Sequence, residues 1–279
     1  MSATTGNAAR PATPANGTAA VLDVRSISMN FGGLRALNEV DLQVRLGEIV
    51  ALIGPNGAGK TTFFNCITGI YVPTEGTVHV TPRDGRTVTV NGLKASQVTE
   101  LGMSRTFQNI RLFPTMSVLE NVMIGRHCRT RAGILGALLR DSRTRAEEQR
   151  IVEESYALLK SVNLHQHYKD QARNLPYGAQ RRLEIARALA TDPFLLCLDE
   201  PAAGMNPQET HELKELVIEI RERHQLSVLL IEHDMSMVMS LSDRIYVMEY
   251  GSKIAEGTPE EVSKNPRVIK AYLGEESHA

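Results

Sequence analysis

Gly54-Pro-Asn-Gly-Ala-Gly-Lys60-Thr61-Thr62 satisfies the phosphate-binding pattern G-x-x-x-x-G-K-[ST], and its flanks decide how it folds. Before it runs Glu48-Ile-Val-Ala-Leu-Ile53, with the composition of a buried parallel strand; after it, Phe63-Phe-Asn-Cys-Ile-Thr68 can continue as a helix. Strand, loop and helix in that order are what a nucleotide site demands. A glycine-rich turn that merely contained a lysine would need neither flank.

Polyphosphate charge explains the residue types. Glycines let a loop wrap without Cβ clashes, so successive N–H groups turn inward on phosphate oxygens, and a helix starting near Lys60 adds its positive end. Asn56, Gly57, Ala58, Gly59, Lys60, Thr61 and Thr62 are therefore candidate nucleotide ligands. Lys60 can reach the β and γ phosphates as a point charge, and the Thr61 hydroxyl can ligate Mg²⁺.

Composition narrows the function classes. With 279 residues and 42% hydrophobic content, the chain can bury one sizeable core, or one core and a smaller lobe. A net charge of −1 offers no basic field for nucleic acid. No apolar run approaches the roughly twenty residues that span a bilayer, so membrane association is expected to be peripheral. Residues 1–20, rich in Ala, Thr, Pro, Gly and Asn, read as a disordered tail, and because they lack the apolar h-region of a signal peptide the chain is expected to stay in the cytoplasm. Cys66, Cys128 and Cys197 form no C-x-x-C pair; Cys66 and Cys197 read as small buried hydrophobes, and His165 and His167 as solvated polar residues.

Outward from the motif, β-like pieces at 21–25 and 40–44 are divided by a Phe31-Gly-Gly33 turn signal, and further pieces at 77–80 and 87–91 suggest an antiparallel lobe. From about 110 to 178 the texture is helical: Ser117-x-x-Glu120 is a capping box, and residues 142–162 are a long charged amphipathic stretch. Then come a helix at 178–190, a strand at 194–198, a helix opened by Asn206-Pro207 with Glu209 three positions on, a strand at 227–231, a short helix from about 235 and a strand at 244–248. Strands alternating with helices predict a mostly parallel sheet with its nucleotide at the carboxyl strand ends.

Two acids, Asp199 and Glu200, close the buried run at 194–198. They could simply mark the solvent boundary; beside a phosphate loop they fit a Mg²⁺-holding carboxylate and a general base that polarises water. His233 ends the next strand; a lone histidine is usually structural, but strand-end placement suits a γ-phosphate sensor. Gln108, just past the β-like stretch 103–107, could complete the Mg²⁺ sphere.

At these positions the chain resembles the ATP-binding cassette (ABC) ATPases, from residue 21 to about 260. The resemblance implies an α/β fold: a P-loop NTPase core with a mostly parallel sheet (21–107 and 179–258), an antiparallel β subdomain and a helical insertion subdomain (about 108–178). These make one domain, 21–265, whose end overlaps a short C-terminal segment, 259–279. It implies a Walker A at 54–62 with Lys60 catalytic, a Q-loop at Gln108, a Walker B ending at Asp199 with base Glu200, a D-loop at 203–206 and a switch histidine at His233. The implied metal ligands are Thr61, Gln108 and Asp199, with ATP and Mg²⁺ as cofactors. Phe31, which as a bare residue reads as core, is implied to stack on adenine. The family's L-S-G-G-Q signature appears as Leu175-Pro-Tyr-Gly-Ala-Gln180, with Pro176 at the serine and Tyr177 at the first glycine. Tyr177 and Gly178 are thereby implied to face the nucleotide of a partner cassette.

Arg105-Thr-Phe-Gln-Asn-Ile-Arg-Leu-Phe113, Ala132-Gly-Ile-Leu-Gly-Ala-Leu-Leu139, the altered signature and Pro201-Ala-Ala-Gly-Met-Asn-Pro207 together resemble the ATP-binding subunits of high-affinity branched-chain amino acid importers. That implies two permease subunits, a second cassette in a heterodimer, indirectly an extracytoplasmic substrate-binding protein, and a peripheral seat on the cytoplasmic face of the inner membrane. Lipid or lipopolysaccharide export is the alternative within transporters. A soluble cassette acting on nucleic acid or ribosomes would need a coiled-coil insertion or a second cassette in the chain. Leu112, Phe113, Met116, Ile134, Leu135 and Leu138 are expected either to line a groove for a permease helix or to pack inside the helical lobe.

Overall fold

The computed structural model describes residues 19–126, 128 and 142–276. Ala20–Phe31 (β1) and Leu34–Arg45 (β2) form an antiparallel hairpin turned by Gly32 and Gly33, and Ile49–Ile53 (β3) then enters a second sheet. Gly32 takes φ +57°, the left-handed conformation that a two-residue hairpin loop requires. Glu75–Val80 (β4) and Val88–Thr89 (β5) return to the first sheet, giving the antiparallel order β2-β1-β4-β5. The β-like run 87–91 is strand only over two residues because Asn91 leaves the ladder, its side chain accepting from the Val78 amide instead.

Met103–Arg105 (β6), Leu195–Asp199 (β7), Ser227–Ile231 (β8), Arg244–Glu249 (β9) and Ser252–Gly257 (β10) complete a six-stranded sheet of order β10-β9-β3-β8-β7-β6, parallel except for β10. Every residue of β3, β7 and β8 is buried. Successive side chains point to opposite faces. Ile49, Ala51, Ile53, Leu196, Leu198, Val228 and Leu230 therefore join one apolar cluster, while Val50, Leu52, Leu195, Cys197, Leu229 and Ile231 join the other. A sheet covered on both faces has no polar side, which is why these runs are continuously apolar.

The helices are Lys60–Ile67 (α1), Ala95–Leu101 (α2), Val118–Arg126 (α3), Ser142–Ser161 (α4), Tyr177–Leu189 (α5), Pro207–His224 (α6), Met235–Leu241 (α7), Pro259–Ser263 (α8) and Pro266–Glu276 (α9). The Ser117 hydroxyl accepts from the Glu120 amide and the Glu120 carboxylate from the Ser117 amide, which caps α3. Asn206 and Glu209 do the same for α6. In the helical region α3 packs on α4 and α5. Gly125 permits the approach to α5, because a Cβ there would collide with the Arg187 carbonyl oxygen. Among the described residues no helix is long and apolar enough to cross a membrane.

Candidate functional site

The phosphate loop leaves the carboxyl end of β3 and turns on glycines. Gly54, at φ +149°, lies so close to β9 that a Cβ would collide with the Met248 carbonyl oxygen; Gly57 is at φ +75°, and Gly59 is at φ +98° against the Ala36 carbonyl. Gly59 has no side chain with which to cap α1, so the positive end of that helix faces the loop. Lys60 is buried, its Nζ donating to the carbonyls of Gly54 at 2.6 Å and Pro55 at 2.9 Å. Asn56, Gly57 and Thr61 are exposed at the loop's surface, Gly59 and Thr62 half-buried and Ala58 buried.

Three neighbouring strand ends bring the candidate catalytic groups together. Just past β6, Gln108 donates from Nε2 to Glu200 Oε2 at 2.7 Å. Just past β8, His233 Nε2 lies 3.0 Å from Glu200 Oε1. Glu200 follows β7 directly with φ +46°, a conformation rare for a non-glycine residue and held by its amide donating to the Ile231 carbonyl at 2.9 Å. Glu232, buried behind His233, accepts from the amides of Ala202 at 2.7 Å and His233 at 3.0 Å, tying the two strand-end turns together. Burial pushes the Glu232 carboxyl above the ordinary range, against the pull of those amides.

Asp199 ends β7 buried, and its Oδ2 accepts from Arg105 Nη2 at 2.5 Å. Sequence reading missed Arg105. It also reaches Asn65 Oδ1 and Thr68 Oγ1, one in α1 and the other at its C-cap, and lies between the Phe64 and Phe107 rings at 5.4 and 5.3 Å. A buried carboxylate needs such a partner, since an uncompensated charge there would cost several kcal/mol. The donors available to a metal are hard oxygens, the Thr61 hydroxyl, the Gln108 amide oxygen and the Asp199 carboxylate, and that set fits Mg²⁺. Among the described residues no three His, Cys, Asp or Glu side chains are grouped to hold a metal by themselves, so a nucleotide's phosphates and water would have to complete the sphere.

Phe31 ends β1 with 42% of its surface exposed, and Tyr71 meets it edge to face at 5.4 Å between ring centres. At the altered signature, Pro176 is the exposed cap of α5, and Gly178 is buried where a Cβ would press on Glu209 Oε1. The Tyr177 hydroxyl is engaged inside the chain, donating to the Ala203 carbonyl at 2.9 Å and accepting from Arg181 Nη2 at 3.3 Å.

Between β6, α3 and α5 lies a cleft of about 290 Å³ lined by Arg105, Phe113, Ile124, Glu184 and Arg187, among others. Phe113 is 43% exposed at its mouth. Leu112 instead packs against the core and Met116 is half-buried, whereas Ile134, Leu135 and Leu138, with the rest of the stretch 132–139, lie outside the described residues. The thiols of Cys66 and Cys197 are buried and pushed up to about 11 and 12, so both stay protonated as small hydrophobes. His167 bonds Asp170 at 2.8 Å on the surface.

The chain matches the ABC transporter family profile over residues 37–203. Residues 252–278 match the profile described as branched-chain amino acid ATP-binding cassette transporter, a stretch the motifs left almost unread. It is 49% identical over 255 residues to the high-affinity branched-chain amino acid transport ATP-binding protein LivG of Escherichia coli K12, covering 91% of this chain and 98% of that one. BraF of Pseudomonas aeruginosa, described in the same words, is 47% identical over the same span. Among solved structures, the ADP conformation of MJ1267, an ATP-binding cassette of an ABC transporter, superposes with a TM-score of 0.78 at 31% identity, covering 92% of this chain and all of that one.

Proposed function

This chain belongs to the ABC transporter ATPases, and on that premise we propose that it binds and hydrolyses ATP to drive import of branched-chain amino acids through separate permease subunits. The observation that carries the catalytic reading is Glu200, its carboxylate held between Gln108 and His233 at the carboxyl edge of the sheet that also ends in the phosphate loop. Nucleotide sites of parallel sheets lie at that edge.

The roles follow from position. The loop amides and Lys60 hold the β and γ phosphates, with Lys60 exchanging its bonds to the Gly54 and Pro55 carbonyls for phosphate oxygens. Glu200 orients and polarises the attacking water; Gln108 and His233 fix that carboxylate, and His233 reads the γ-phosphate. Mg²⁺, held by Thr61, Asp199 and Gln108, would neutralise the charge that develops on the phosphates. Phe31 stacks on adenine, with Tyr71 packed against its edge.

As the ATP-binding subunit of a transporter, the chain works with membrane permeases and is associated peripherally with the membrane. Its seat on the cytoplasmic face, a second cassette and an extracytoplasmic binding protein belong to the same reading. The exposed Phe113 at the mouth of the cleft supports docking of a permease segment there. The C-terminal match to the branched-chain profile favours this pathway over lipid export. Affinity purification of the tagged chain from membranes tests the reading. Permeases encoded with branched-chain importers should co-purify and Mg²⁺-dependent ATPase activity should accompany them, whereas recovery with lipid-export permeases would contradict it.

A further inference from the structure

The residue at the first glycine of the signature is tied to this chain's own catalytic base. Tyr177 begins α5 and its hydroxyl donates to the carbonyl of Ala203, whose amide in turn donates to the Glu200 carbonyl at 3.2 Å. The same hydroxyl accepts from Arg181, a fully buried arginine one turn further along α5. Arg181 also donates to the backbone carbonyls of Phe107 and Gln108, both at 2.7 Å. Gln108 then holds Glu200 through its side chain at 2.7 Å. A closed circuit of hydrogen bonds thus runs from Glu200 through Ala203, Tyr177, Arg181 and Gln108 back to Glu200.

We infer that Tyr177 is a positioning residue for this chain's own general base, acting through Arg181 and the backbone of Gln108 on one side and through Ala203 on the other. Arginine supplies the link because its planar fork can serve two carbonyls and a hydroxyl at fixed angles, and because Glu184, bonded to it at 2.8 Å, balances its charge in the core. A glycine at 177 would leave the Arg181–Ala203 side of the circuit open. The inference rests on the hydrolytic reading of Glu200 given above, and it assigns Tyr177 to the site within its own chain, where the family resemblance assigns it to the nucleotide of a partner.

The test uses the full complex of this chain with its permeases and second cassette. Tyr177→Phe keeps the ring and removes only the hydroxyl, and thermal unfolding of the variant checks the fold. Turnover is measured twice: with the general base of the second cassette disabled, which reports on this chain's site, and with Glu200→Gln here, which reports on the other. In the first arm the expected result is a fall in kcat of roughly tenfold, the equivalent of one lost hydrogen bond, at unchanged KM for ATP. In the second arm no change is expected. Adding Gln108→Ala in the first arm should lower the rate no further than Gln108→Ala alone, because both variants open the same circuit. An unchanged rate in the first arm, a loss confined to the second, an equal loss in both, or effects that multiply would overturn the inference. If the unmodified chain hydrolysed no ATP in the first arm, the fault would lie with the hydrolytic reading itself.

Discussion

A general base works only when its acceptor oxygen is aimed, and Glu200 has both carboxylate oxygens held and its backbone in a left-handed conformation. Glu200→Gln preserves shape but removes the base, so ATP affinity should survive while turnover in the assembled complex falls on the order of 10²- to 10⁴-fold. Lys60→Ala should instead abolish nucleotide binding, because the loop loses its only lysine. Equilibrium binding and steady-state hydrolysis separate the two outcomes. Asp199 and Glu200 could be read from sequence because a continuously apolar run ending in two acids announces a buried strand meeting a charged site. Arg105 and Arg181 could not: what makes them matter is burial among partners 37 to 94 and 73 to 74 positions away, which no local pattern encodes.

His224 gives a pH dependence at the same scale. Burial, with Arg223 and Arg83 nearby, lowers its pKa below the ordinary 6.5, Asp192 opposing. The unfolded chain then binds the proton more readily than the native one, so stability rises with pH across this interval. The contribution is fully present above about pH 6.5 and is lost as pH falls through the folded value. Denaturant midpoints of the wild type should therefore drop more steeply on acidification than those of His224→Gln, and parallel curves for the two would refute the assignment.

Among the elements, α6 owes its start to the reciprocal bonds of Asn206 and Glu209. Asn206→Ala should cost about 1 kcal/mol by urea denaturation, with a native-like m-value. Capping residues and strand runs were legible because their signals are local: β8 and the start of α7 fall at the residues the pattern names, and α5 begins one residue earlier than read. The strand β10 and helix α9 were not, since β10 alternates weakly and stands as an edge. For α8 the signal was present and went unread, because Thr258 and Glu261 form a capping box with Pro259 at the first helical position.

At the scale of the whole molecule, function depends on partners, and the sequence names them only through resemblance. Phe113→Asp places a charge at the mouth of the cleft without disturbing a buried side chain, so it should weaken permease co-purification while leaving ATP binding intact; full assembly of that variant would refute docking there. Uptake of radiolabelled leucine, with its binding protein, into vesicles carrying the reconstituted complex tests ATP-driven import itself. ATP-dependent leucine accumulation that Glu200→Gln on this chain reduces at least tenfold, with assembly unchanged, is the expected result. Accumulation at the wild-type rate with Glu200→Gln, or an intact and ATP-hydrolysing complex that moves no branched-chain amino acid, would contradict the account.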